Sequence, residues 1–239
     1  MNYQFDWAEL WQQPYATWLL EGIGTTILLG LLSWFVALLL GFCIGTLRTT
    51  GPRFTRRLAE AYVEIVRNIP LLVQYFMWYF MVPSLLPHAA KEWLFNLPYT
   101  AFWTSLATLG VYTSSRVAEH VRAGLGSIGR DQYRAAYATG LSGWQVYRYV
   151  IVPYAIRLVI PPLTTEFLTC FKNTSLAMTV GVLETTGAAY QISSYTYHGI
   201  ESTTAATVVY LIISGVVVVG MNWLERRLAV PGLLRRGAN

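Results

Sequence analysis

Residues Leu19–Leu47 read LLEGIGTTILLGLLSWFVALLLGFCIGTL, and the only charged side chain among them, Glu21, stands at the start. The run is apolar on every side of a helix, whereas a helix at the surface of a soluble domain keeps one polar face. It exceeds the roughly 20 residues that an α-helix needs to cross a hydrocarbon core of about 30 Å. The stretch is therefore predicted to span a membrane. The whole chain agrees: of its 239 residues 54% are hydrophobic and 12% charged, against roughly 45–50% and 25% for soluble domains. That balance excludes a disordered chain and argues against a soluble enzyme.

Four further segments complete an all-α reading with five membrane helices, at about 19–47, 58–82, 99–121, 154–183 and 203–224, in a single domain over 1–239. The second begins amphipathic, with Glu60, Glu64 and Arg67 on one face, and ends in the apolar run LLVQYFMWYFMV. Glu64 and Arg67 are spaced to pair at i, i+3. The third carries Arg116 and Glu119 in its last turns, the fourth Arg157, Glu166 and Lys172, and the fifth the run VVYLIISGVVVV.

The connections orient the bundle. Arg48, Arg53, Arg56 and Arg57 lie between segments one and two, and Arg122, Arg130, Arg134 and Arg148 between three and four. Arg226, Arg227, Arg235 and Arg236 follow five, so these places hold twelve of the 17 basic residues. The opposite loops hold only Lys91. Basic residues concentrate on the cytoplasmic side, so the N-terminus is expected outside and the C-terminus inside. The formal net charge of +5 is thereby assigned to inner loops and not to nucleic acid. Trp7, Trp11, Tyr15 and Trp18 suit an outer interfacial belt against lipid. No basic residue precedes Arg48, so no signal peptide is expected.

Several chemistries are excluded. The two lysines, Lys91 and Lys172, do not follow glycine, so no Walker A motif exists and ATP is not bound by that means. Gly124, Gly126 and Gly129 form a GxGxxG, but after a membrane helix and not a strand, and are expected to make a helix-to-loop turn. Cys43 and Cys170 lie in apolar runs and read as small hydrophobes. His88, His120 and His198 are scattered and form no metal-ligand set. Asn173-Thr174-Ser175 is a glycosylation sequon inside segment four and is discarded. No metal site and no catalytic set are expected.

The loop at about 122–153 carries the most specific signal. Asp131–Thr139 has helical character, Gly140 suits a helix C′ position, and Pro153 opens segment four. Arg134-Ala135-Ala136, three residues, Gly140, nine residues, then Val150-Ile151-Val152-Pro153 resembles the "EAA" loop, Glu-Ala-Ala…Gly…Ile-x-Leu-Pro, of membrane subunits of bacterial ATP-binding-cassette importers. Arg134 stands where that pattern has Glu, and Val replaces Ile and Leu. Tyr62–Phe76 and Ile151–Ala177 resemble the second and fourth helices of the polar-amino-acid branch, and Leu224–Gly232 its tail. Arg67–Pro87 is most similar to the glutamate/aspartate members.

That resemblance implies a permease subunit, not an enzyme, in the bacterial inner membrane. It implies a second permease chain (copy or paralogue), two ATP-binding-cassette subunits that bind ATP and Mg, and a periplasmic solute-binding protein. Arg134, Ala135, Ala136, Gly140, Val150, Val152 and Pro153 are then expected to couple to the ATPase through a short helix. For an acidic substrate the expected path comprises Arg116, Lys172, Glu166, Asn173 and Glu119, because an ionisable group at membrane depth faces the bundle interior or water and a guanidinium forks onto a carboxylate. Relatives that carry other amino acids often have an aromatic residue in the place of Arg116. Two alternatives stand beside this: Arg116 simply neutralised by Glu119 at i+3, and Lys172 paired with Glu166. Asn68-Ile69-Pro70 and Pro161-Pro162 are places for a kink, moving or static. Competing functions are another polar-amino-acid substrate such as glutamine, an ion-coupled secondary transporter, which lacks its expected inverted repeat here, and a scaffold.

Overall fold

The structure, a computed structural model, describes residue 3 and residues 5–228. Arg235, Arg236 and the tail motif from residue 229 onward lie outside them. The longest helix, α1 (Tyr15–Thr50), follows a 3-10 turn at Glu9–Trp11. Its 36 residues extend about 54 Å at 1.5 Å each, so it overreaches an apolar layer of about 30 Å. The buried residues of α1 include Gly22, Thr26, Gly30, Ser33, Ala37, Gly41 and Gly45, a stripe of small side chains repeating every three or four residues. In lipid, where apolar side chains gain nothing by leaving the solvent, such stripes let helix backbones approach closely. The approach is real: a Cβ on Gly41 would lie 2.5 Å from the Cβ of Val117, and one on Gly45 2.7 Å from the carbonyl oxygen of Ala118. Both neighbours belong to α5 (Thr100–Gly126).

The second expected span is not one helix. Arg53–Asn68 (α2) and Leu71–Leu85 (α3) meet at a bend of 103°. Ile69 is extended (φ −91°, ψ 124°) ahead of Pro70, as the clash of a proline ring with the preceding residue demands, and Pro70 has no N–H to continue the ladder. The side chain of Gln74 caps the break by donating to the carbonyls of Val66 (2.8 Å) and Ile69 (2.9 Å). A short helix, α4 (His88–Asn96), then leads to α5.

Helix α6 (Arg130–Ala138) is the expected loop helix, and Gly140 behind it adopts φ +79°. A turn at Gly143–Val146, with a capping box between Ser142 and Gln145, runs through a π turn at Tyr147–Ile151 into α7 (Val152–Asn173). The fourth expected segment is helical as far as Val180 but does not keep one winding. Beyond Asn173 the chain tightens to a 3-10 helix, Thr174–Val180. There the hydroxyls of Thr174, Ser175 and Thr179 donate to carbonyls three residues back at 2.7, 2.8 and 2.7 Å, competing with the α ladder. Helices α8 (Thr185–Thr196) and α9 (Gly199–Leu228) complete the described chain.

Helices α1, α5 and α7 form the centre, with α8 against α1 and α9 against α7 and α8. Three helical stretches are long and apolar enough to cross a membrane, namely α1, Gly143–Val180 and α9, or four with the bent pair counted as one. Helix α5 is long enough, but Arg116, Glu119 and Arg122 fall within it. The GxGxxG lies at the expected helix-to-loop turn, with Gly126 the last residue of α5 and Gly129 just ahead of α6, and no φ there is positive. A Cβ on Gly124 would lie 2.3 Å from Val159 Cγ2, so that glycine admits α7.

Candidate functional site

Arg116 is not neutralised by its helix neighbour. Its Nε donates across to Glu166 on α7 at 2.7 Å, and His120 Nε2 stands 3.1 Å from the other oxygen of the same carboxylate. The Glu166 side chain is 5% exposed and that of Arg116 37%. A buried carboxylate is tolerated only when paired and hydrogen-bonded. Here two donors from one face of α5, four residues apart, meet it. Lys172 is not its partner: six residues along α7 it faces a different cavity of about 420 Å³, lined also by Ser175, Thr186, Thr203 and Tyr210. Asn173 ends α7 beside it.

Glu119 anchors a neighbouring cluster. It accepts hydrogen bonds from Arg48 of α1 at 2.5 Å and from Arg122 at 2.5 Å, and Arg67 of α2 comes within 3.7 Å. The expected Glu64–Arg67 pair does not form. Arg67 turns toward Glu119, and Glu60 is held by Arg56 at 2.9 Å. Arg48, Glu60, Glu64, Arg67, Arg116 and Glu119 all line one polar cavity of about 570 Å³ between α1, α2 and α5, within the range of small-molecule sites. So Arg116 and Glu119 line one cavity, with Glu166 behind Arg116, while Lys172 lines another and Asn173 follows it in the chain.

The loop residues divide by exposure. Ala136 packs in a small core with Ile128, Val146, Ile151 and Ala155, and Val150 lies half-buried against it. Ala135, Arg134, Gly140 and Val152 are exposed, and Pro153 occupies the first turn of α7. Arg134 stands 3.7 Å from Asp131 in solvent, a geometry worth about 0–1 kcal/mol. Tyr137, Trp144 and Tyr149 of the same loop are exposed as well, Trp144 at 74%.

Two polar groupings escape a linear reading. His120 joins Arg116 at i+4, a spacing that was available in the sequence. Glu184 is the other: fully buried, it caps α8 by accepting from the N–H groups of Thr186 (3.0 Å) and Gly187 (2.9 Å) and takes the hydroxyl of Tyr210 at 2.6 Å. Thr26 of α1 stands 3.4 Å from the same carboxylate. One carboxylate thus ties α1, α8 and α9. Nothing short of the fold brings Thr26 and Tyr210 to it.

Comparisons with known proteins follow this architecture. The family described as binding-protein-dependent transport system inner membrane component matches residues 37–230. The chain is 37% identical over 243 residues to the glutamate/aspartate import permease protein GltJ of Escherichia coli (strain K12), covering 97% of this chain and 98% of the relative. It is 32% identical over 227 residues to the glutamine transport system permease protein GlnP of the same organism, covering 95% and 99%. A crystal structure of an amino acid ABC transporter with histidines superposes with a TM-score of 0.80 at 26% identity, covering 94% of this chain and 100% of that one. An inward-facing MetNI methionine transporter shares the fold, with a TM-score of 0.72 at 19% identity. With the matched family region spanning most of its length, the chain belongs to the family of binding-protein-dependent transport system inner membrane components.

Proposed function

We propose that this chain is the permease subunit of an ATP-driven importer that moves glutamate and aspartate across the bacterial inner membrane. The observation that carries the acidic substrate is Arg116. Its guanidinium spends Nε on a buried carboxylate and still lines a polar cavity. A guanidinium in that position offers a fork to a second carboxylate, and leaving it unmatched at membrane depth is costly. The similarity to a glutamate/aspartate import permease supports the same substrate. Glutamine is the second reading, favoured by the 32% identity to a glutamine permease.

In this reading the chain crosses the membrane five times, with α5 and the α2–α3 pair each a span, the N-terminus outside and the C-terminus in the cytoplasm. A second permease chain completes the passage about a two-fold or pseudo-two-fold axis. A periplasmic binding protein delivers substrate, and two ATPase subunits carry ATP and Mg. The surface of Arg134, Ala135, Gly140 and Val152 docks on the ATPase, where small side chains permit close approach. Closure of the ATPases moves α6, and the bundle alternates access by rigid-body motion. Lys172 and Asn173 serve the path at a second station.

The test is labelled glutamate uptake into vesicles holding the assembled importer, with and without internal ATP, with aspartate, glutamine and arginine as competitors. Uptake that needs ATP and is blocked by aspartate but not by arginine is expected. ATP-dependent uptake of glutamine alone would reject the acidic substrate, and uptake indifferent to ATP would reject the importer.

A further inference from the structure

The cavity between α1, α2 and α5 holds a particular remainder of charge. Glu60 is occupied by Arg56 at 2.9 Å, and Glu119 by Arg48 and Arg122, both at 2.5 Å. Those two carboxylates are taken. Arg116 gives Nε to Glu166, and a guanidinium has five N–H donors, so the donors of its two amino groups remain. Arg67 has as its nearest carboxylate Glu119 at 3.7 Å, beyond hydrogen-bond length. Glu64 has no cation within 4.0 Å among the described residues. Besides Arg48, which gives Nη1 to Glu119 and keeps an unpartnered Nε, what is left over around the cavity is two guanidinium groups and one carboxylate. An amino acid with an acidic side chain carries the inverse set, two carboxylates and one ammonium.

We propose that this cavity is a binding site for the free acidic amino acid, in which Arg67 and Arg116 take its two carboxylates and Glu64 takes its ammonium. The inference rests on the acidic substrate proposed above and adds to it two residues of α2 that a linear reading assigns to an internal ion pair. It also gives discrimination a cause. Glutamine supplies one carboxylate where two forks wait, so one guanidinium stays unmatched. Arginine brings a second cation among cations. The cavity of about 570 Å³ admits such a ligand together with water. Arg48 adds to the same lining, its Nε buried without a hydrogen-bond partner.

The experiment is equilibrium binding of labelled glutamate to the purified whole importer, without its solute-binding protein, in lipid nanodiscs. Saturable binding displaced by aspartate, and at least tenfold less well by glutamine, is expected. Arg67→Gln and Glu64→Gln should each weaken it about tenfold to hundredfold, the worth of a hydrogen bond to a charged group. Arg67→Lys, which keeps the charge but not the fork, should fall between. Both side chains lie on the exposed face of α2, so these variants retain the fold, checked by gel filtration. A complex that imports glutamate with ATP yet binds none in this assay, or binds it unchanged in both variants, overturns the cavity site and leaves the proposed function standing. A complex that imports only glutamine overturns both.

Discussion

The contact between Arg116 and Glu166 is the only direct ionic link between α5 and α7 among the described residues apart from His120 on the same carboxylate, and its energy can be worked out. Breaking a fully buried pair costs about 3–5 kcal/mol and breaking an exposed one about 0–1. Glu166 is buried, but Arg116 keeps 37% of its side chain exposed, so the two partners differ. Arg116→Gln leaves a buried carboxylate with His120 alone, and should destabilise by about 2–3 kcal/mol. Glu166→Gln keeps an oxygen for Arg116 Nε and releases a cation that reaches water, and should cost about 1–2 kcal/mol. In a chain of this size about 2–4 °C of melting temperature corresponds to each kcal/mol. The Arg116 variant should thus melt about 4–12 °C lower, followed by intrinsic tryptophan fluorescence of the purified chain in detergent. The double variant closes a cycle whose coupling should be about 1–2 kcal/mol, since partners in contact are not additive. A coupling below about 0.3 kcal/mol, the scatter between independent sites, would refute the pairing and with it the geometry from which the cavity is argued.

Other perturbations probe other levels. Gly41→Val places a Cβ 2.5 Å from that of Val117, and the forced separation of α1 from α5 should destabilise by at least about 1–3 kcal/mol. Gly24→Ala, where no atom lies within 4 Å of the added Cβ, should be neutral or stabilise by up to about 1 kcal/mol; equal melting shifts for the two would argue against close packing of the small-residue stripe. Glu184→Ala removes the cap of α8 and the acceptor of Tyr210 and should cost about 2–4 kcal/mol, visible as faster hydrogen exchange at residues 185–188. Trp144→Ala alters a side chain 74% exposed and should leave melting within about 0.5 kcal/mol of the parent, while ATP-driven uptake by the assembled importer falls several-fold. Unchanged uptake would remove Trp144 from the docking surface.

Sequence patterns that depend on one helix or one residue were legible. The apolar run of α1 and the helix Arg130–Ala138 follow from periodicity, and Gly140 at φ +79° follows from a conformation that few other residues accept. The 103° break was half legible. Pro70 marks a kink, but its angle depends on Gln74 folding back to satisfy the freed carbonyls. The end of α7 was not legible, because a run such as Thr174–Val180 continues an apolar pattern while its hydroxyls tighten the backbone. Ion pairing was read least well. Spacing along a helix nominated Glu119 for Arg116 and Arg67 for Glu64, each at i+3. The fold instead satisfies these groups between helices, because α1 and α7 lie close enough to α5 to offer Arg48 and Glu166. Small residues on α1 and Gly124 on α5 make that closeness possible, so the charge network is a consequence of the packing stripe and could not be read before it.

The same packing sets how the two candidate sites communicate. Both π turns, Met77–Met81 and Tyr147–Ile151, stand one residue ahead of a proline, Pro83 and Pro153. In each the last amide bonds five residues back, Val82 to Met77 and Val152 to Tyr147, which widens the helix where a proline ring would strike the carbonyl four residues before it. At Tyr147–Ile151 the widened turn does not loosen its surroundings. Ile151, Val146 and Ala136 pack into one buried cluster with Ala155 on the first turns of α7, so α6 and the base of α7 are a single packed body. From Pro153 to Glu166 is thirteen residues of the same helix, about 20 Å, and the helix is not interrupted at Pro161 and Pro162, where a kink was expected. Any displacement of α6 that preserves this cluster must move α7, and α7 carries the carboxylate that holds Arg116. Under the proposed function, an ATPase pressing on Ala135 and Trp144 therefore acts on the substrate cavity through one continuous lever.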